Sequence, residues 1–307
     1  MSGQTVLVQA SPRTAPGLLT HQAWEAMRET DVVYARALDP LWLQALTSSG
    51  LDMRVAAGRP LQGDEVWFDA SGDDELAREL AELAVRGGVA VEVVLGSYDL
   101  PGSRLLDLVR VMDRLRSPGG CPWDARQTHS SLLRYLVEES YEVVEAVESG
   151  SSDDLREELG DLLLQVVFHA RLATEHDEAP FDVDDVASGI VDKLVLRHPH
   201  VFAGTDVDSA DHVEDLWERN KAVEKGRASA LDGIPGGLPA LARAEKVLDR
   251  LARHGVEVAP PEPVDVGTRL LRDVADARAE GTSAEEALRH ALREWEADVR
   301  RLEDELS

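Results

Sequence analysis

The chain has 307 residues, 43% hydrophobic and 30% charged, which is enough apolar material for two domains and too much for a chain disordered throughout. Lys and Arg total 32 against 59 Asp and Glu, and the formal charge of −27 repels phosphate backbones and anionic lipid, arguing against nucleic-acid and membrane partners. Cys121 is the single cysteine, so no internal disulfide forms, and no run reaches the ~18 apolar residues of a bilayer span. The best runs, 89–95 and 162–168, are short and are broken by Glu92 and Gln165. With no basic stretch leading into an apolar one at the N-terminus, a cytoplasmic location is expected.

In chain order, residues 1–100 read as a small mixed α/β segment. Residues 5–9 and 89–95 look like strands, and 20–35 and 73–85 like helices. From Pro101 the strand signal disappears, and helical periodicity runs to about His254, interrupted by breakers at 117–121, 149–153, 178–182, 199–208 and 233–239. Residues 256–264, with three prolines, look like a linker. Two amphipathic helices follow, 268–279 and 284–306, the second opening on a Ser283/Glu286 capping box. The chain therefore divides into 1–100, 101–256 and 257–307, and the fold class is mainly α.

The chemistry concentrates in 130–171, two helices joined by Ser149-Gly150-Ser151-Ser152-Asp153, with Asp153 or Ser152 as the second N-cap. At about 100° per residue, Leu133, Leu136, Val137, Ser140, Val143, Val144 and Val147 form one stripe. Leu155, Leu159, Leu162, Leu163, Val166 and Ala170 form the other. Glu139 and Glu142 stand at the same offsets from the first stripe as Glu158 and Asp161 do from the second. The short loop makes the helices antiparallel, so equal offsets put both acidic pairs on one side of the hairpin. The pairs 139/161 and 142/158 are also symmetric about residue 150. Four carboxylates in one patch repel by roughly 1 to 4 kcal/mol per pair at ~4 Å, and a hard cation held by oxygen alone, Mg²⁺ or Mn²⁺, offsets this. The competing reading is a solvated acidic helix face.

The pattern Glu138-Glu139-x-x-Glu142 with Glu158-x-x-Asp161 resembles the signature of the MazG nucleoside triphosphate pyrophosphohydrolases. Flanking landmarks resemble the family in the same order. They are Cys121-Pro122-Trp123-Asp124 with Gln127-Thr128-His129, Arg197-His198-Pro199-His200-Val201-Phe202, Trp217-Glu218 with Lys221, and Leu231-Asp232-Gly233-Ile234-Pro235. The resemblance runs from about Leu105 to Gly255. It implies a Mg²⁺-dependent hydrolase, with Mn²⁺ as a substitute, that cleaves an NTP or dNTP between the α- and β-phosphates. It also implies a helical bundle completed by dimerisation, and a role in cleaning the nucleotide pool. By the family motif, Glu139, Glu142, Glu158 and Asp161 are the metal ligands. Glu138 or Glu142, if not fully used by metal, takes the proton of the attacking water.

An acidic site cannot hold a triphosphate alone, so cations must approach it. Lys193 and Arg197, i and i+4 on one helix, and Lys221, with Lys225 repeating that spacing, are the candidates. Trp123 is a candidate for stacking on the base, against a plain packing role. His129 reads as a helix cap, and His198 and His200 as the turn around Pro199.

Both ends depart from the family. Residues 15–20 and 25–34 resemble part of a tetrapyrrole methylase, but residues 8–14 lack the glycines of its cofactor turn, so this segment is expected to be non-catalytic. The tail resembles the borders of a second MazG unit without its acidic motifs. The rival functional class is a metal-dependent interaction or regulatory protein on the same scaffold. A SAM-dependent methylase is weaker still.

Overall fold

The computed structural model describes residues 4–72, 74–87, 89–204 and 229–306. The chain divides between Ser188 and Gly189 into two compact units.

The first unit begins with five strands, β1 (Gln4–Gln9), β2 (Val33–Ala35), β3 (Met53–Val55), β4 (Val66–Asp69) and β5 (Ala90–Leu95). All pair in parallel, in the order β3-β2-β4-β1-β5. Parallel neighbours need crossovers, and α1 (His21–Arg28), α2 (Pro40–Ser48) and α3 (Glu75–Gly87) supply three of them. The inner strands β1 and β4 carry buried side chains at consecutive positions because both faces are covered there, whereas the edge strands β3 and β5 are largely exposed. Val8, Phe68 and Val94 pack with Met27, Trp42 and Leu46 on one side, whereas Leu7 and Trp67 pack with Leu76 and Leu80 on the other.

The expected helix over 20–35 is shorter in the structure. Thr20 caps α1, the helix stops at Arg28, and Val33–Ala35 is a buried strand. A three-residue β-branched and aromatic run does not show strand period by itself. The short elements α2, β3 and β4 also escaped the sequence reading, for the same lack of length.

Helices then take over: α4 (Arg104–Arg116), a 3₁₀ turn (Asp124–Arg126), α5 (His129–Ser149), α6 (Ser152–Ala173) and α7 (Val183–Arg197), which crosses into the second unit. Met112 of α4, Leu132 of α5, and Val167, Phe168 and Leu172 of α6 form their core. Arg116 holds Glu175 at 2.8 Å, and Arg171 bridges Asp113 at 2.8 Å and Glu175 at 2.9 Å. Arg13, just after β1, is paired with both Asp99 and Asp107, and Arg110 donates to the Pro12 carbonyl at 2.8 Å, so the sheet is tied to α4.

Three local expectations are corrected. Thr128, in a reciprocal box with Ser131, caps α5, and His129 is its first helical residue rather than its cap. Ser151, not Ser152 or Asp153, caps α6 and accepts from the Asp154 N–H at 3.3 Å. The buried residue at the start of α5 is Leu132. Leu133 and Val137, placed on the apolar stripe, are 54% and 55% exposed, and Leu159, Leu163 and Val166 of α6 are exposed as well.

In the second unit, α8 (Pro199–Phe202) follows the break at His198, and α9 (Ala240–Arg253) contacts both α10 (Val266–Ala279) and α11 (Ala284–Leu306). The start of α11 is corrected too. Ser283 accepts from the Glu286 N–H, but Glu245 of α9 completes the cap by accepting from Ala284, Glu285 and the Ser283 hydroxyl. No helix among the described residues is long and apolar enough to cross a membrane.

Candidate active site

The α5–α6 hairpin builds the site. Gly150, at φ +75°, occupies the left-handed position that ends α5, which favours glycine because it has no Cβ to clash. One further residue, Ser151, leads into α6, so the two helices return antiparallel through the shortest of loops.

This geometry brings the predicted carboxylates together. One oxygen each from Glu139, Glu158 and Asp161 lies within 4.8 Å of the other two, and all three side chains are half-buried. Glu142, one turn after Glu139 on α5, is close enough for its charge to act on both Glu139 and Glu158. Burial first, then the neighbouring carboxyl of Glu142 and the charges of Asp161 and Glu158, push the Glu139 carboxyl up to about 7. Glu158 is raised in the same direction, by burial and then by Glu142 and Asp161. Among the described residues none of the four makes an ion pair with a basic side chain. The donor set is all carboxylate oxygen, mutually close and starved of positive charge, and it fits a hard divalent cation.

Residues 127–202 match the model of the MazG nucleotide pyrophosphohydrolase domain. A nucleoside triphosphate pyrophosphohydrolase of Escherichia coli is 40% identical over 227 residues, 64% of this chain and 86% of that protein. The chain belongs to the MazG family. An uncharacterized 26.1 kDa protein of Streptomyces cacaoi is 49% identical over 239 residues, covering 76% of this chain and 98% of its own length. A nucleoside triphosphate pyrophosphohydrolase of Mycolicibacterium smegmatis is 47% identical over 206 residues, 66% of this chain and 60% of that relative. The MazG match spans the whole acidic hairpin, so the four carboxylates lie inside the segment that defines the family.

The other predicted residues are placed as follows. Glu138 is exposed, next to Glu139 on α5. Trp123 is 43% exposed and meets Tyr135 edge-on, ring centroids 6.0 Å apart. Lys193 is half-buried and Arg197 only 5% exposed, both on the part of α7 that belongs to the second unit. Lys221, Lys225, Trp217 and Glu218 lie outside the described residues.

Two features of the hairpin were missed. His129 and His169 stack, with centroids 5.0 Å apart and Nδ1 atoms at 2.7 Å, and burial followed by the charge of His129 lowers the His169 pKa. Gln165, buried, leaves its Oε1 without a partner. The sequence carried a signal for Gln165, a lone amide inside the apolar run 162–168. Nothing in the spacing joined residues 129 and 169.

Proposed function

We propose that this protein is a Mg²⁺-dependent nucleoside triphosphate pyrophosphohydrolase, converting an NTP or dNTP and water to the monophosphate and pyrophosphate. The observation that carries the reading is the convergence of Glu139, Glu158 and Asp161 within 4.8 Å, inside a segment matched to the MazG nucleotide pyrophosphohydrolase domain. The enzyme class follows from the family, whose relatives in E. coli and M. smegmatis carry that activity in their names. The cation, the cellular role in clearing unwanted nucleotides and a homodimeric state are this reading's own additions.

In this mechanism Glu139, Glu142, Glu158 and Asp161 hold the cation. A divalent ion bound there supplies positive charge to the triphosphate and a Lewis-acid centre, with Mn²⁺ able to replace Mg²⁺. The chain's own residues then position and deprotonate. Glu138, exposed beside Glu139, and Glu142, half-buried one turn further along α5, are the two candidates to accept the proton of the attacking water. Lys193, Arg197 and Lys221 are proposed to hold the phosphates and Trp123 to stack on the base. Phosphoryl chemistry asks mainly for such positioning and charge.

The exposed apolar residues Leu133, Val137, Leu159 and Leu163 support self-association, because a second copy of this chain would cover them.

Pyrophosphate release from mixed dNTPs tests the reading. Release with Mg²⁺, its loss in EDTA, and at least a roughly hundredfold drop in Asp161→Asn are expected. A fully active Asp161→Asn protein would overturn the site. Mg²⁺ binding without any turnover would leave the interaction-protein reading in its place.

A further inference from the structure

Two polar atoms of the hairpin are buried with nothing to bond: Gln165 Oε1 and His169 Nε2. Gln165 is 6% exposed, and a buried amide oxygen without a donor is unfavourable to keep. Both residues follow Asp161 at four-residue steps on α6, along a stripe that drifts by about 40° per step. The two ends of this stripe are fixed in space. Asp161 meets Glu139, and His169 meets His129 at 2.7 Å, so both ends face α5. Gln165 lies between them and faces α5 as well.

On α5 the residue at the same level of the antiparallel pair is Tyr135, one turn before Glu139. Its ring packs on the helical core, is covered by the Arg134 guanidinium at 4.4 Å from its centroid, and is met edge-on by Trp123. About 6 Å along the hairpin from the carboxylates there is therefore an aromatic pair and, opposite, an amide lacking its donor. That step is of the size that separates the α-phosphate of a nucleotide from its base. Aromatic faces with an amide at the edge are a general means of holding an unpaired base.

Resting on the nucleotide reading above, we infer that Gln165 is a specificity-determining residue that hydrogen-bonds the Watson–Crick edge of the substrate's base, with the exposed Trp123, seated on Tyr135, against the ring. Gln165 presents one acceptor and one donor group. A carboxylate at the same position presents acceptors alone. Guanine offers two adjacent donors, N1–H and the N2 amine, whereas thymine offers a single N–H between two carbonyls.

The test measures kcat/KM for dATP, dCTP, dGTP and dTTP in wild type, Gln165→Leu and Gln165→Glu, all as full-length chains. Gln165→Leu should cut the best substrate at least about tenfold and flatten the ratios among the four. Gln165→Glu, which keeps the size and polarity and so guards against a folding failure of the leucine variant, should raise the dGTP to dTTP ratio about tenfold. The rise in melting temperature caused by Mg²⁺ without nucleotide should be the same in all three proteins, since Gln165 is not a ligand. Unchanged ratios in both variants, or one common factor of loss for all four nucleotides, would overturn the inference and leave Gln165 as a packing residue. A wild type that releases no pyrophosphate from any nucleotide would sink the pyrophosphohydrolase reading itself, and this inference with it.

Discussion

Within one compact unit, the sheet and the α5–α6 hairpin solve opposite problems. The sheet closes around its own core. Leu7, Val8, Trp67 and Phe68 are wholly buried, and the charges around it are neutralised in pairs, Arg13 with Asp99 and Asp107, Arg36 with Glu79, and Arg59 with Glu65. The hairpin gathers three features of another kind: clustered carboxylates with no basic partner among the described residues, apolar side chains in solvent, and a buried amide without a donor. An unmet requirement destabilises a fold and can equally define a binding site. The sequence of this chain concentrates its mutually close carboxylates and an orphaned buried amide in one hairpin.

The contrast predicts where damage goes. The largest effect on folding should come from the finished half. Phe68→Ala, with no surface to relax into, should cost about 3–5 kcal/mol in a denaturant melt. A loss under 1 kcal/mol would mean that the sheet is not the stable half. On the unfinished half, Glu139→Gln should lose on the order of a hundredfold in turnover, yet be as stable as wild type or more so without metal, because it relieves like-charge repulsion. Lower metal-free stability in that variant would show that Glu139 is a structural residue.

A smaller effect should follow pH. The folded protein holds a proton on Glu139 up to about 7, whereas the unfolded chain releases it near the ordinary 4.5. That contribution to stability is therefore complete below 4.5 and is lost as pH rises through about 7. The advantage of metal-free Glu139→Gln over wild type should grow between about pH 5 and about pH 8, and Mg²⁺ should abolish the trend. A pH-independent difference would place the Glu139 titration outside this range. The smallest change in folding free energy is expected from Leu133→Ser with Val137→Ser, both exposed, although light scattering should show a lower mass than wild type at the same concentration. Equal masses would leave those side chains simply solvated.

Much of this hairpin was legible in the sequence, and the reason is geometric. Antiparallel helices joined by a minimal loop have a register set by residue number alone, so Glu139, Glu142, Glu158 and Asp161 could be brought together by arithmetic. The apolar stripe was less legible. Leu132 and Leu133 are adjacent leucines, and only the packing of α4 against α6 selects Leu132 for the core. The N-terminal half showed its class and lost its detail, because β2 and β3 are three residues long and carry no readable period. The histidine contact and the orphaned amide were invisible for another reason. Both depend on which way a side chain is aimed across a helix pair, and a hydrophobicity pattern does not encode that direction.

The parallel register also sets an order of events in time. Strand β1 lies between β4 and β5, so Gln4 waits for Ala90 and Val6 for Val66 before its backbone is bonded. The α5–α6 hairpin closes over two residues. Loop closure of the sheet is long-range and slow, that of the hairpin local and fast. On a ribosome the first strand emerges earliest and is completed only after the whole sheet has left the tunnel, with its apolar edges open to other chains meanwhile. Pulse-labelled hydrogen exchange during refolding should find α5 and α6 protected before β1, and simultaneous protection would mean that the hairpin folds only on a finished sheet.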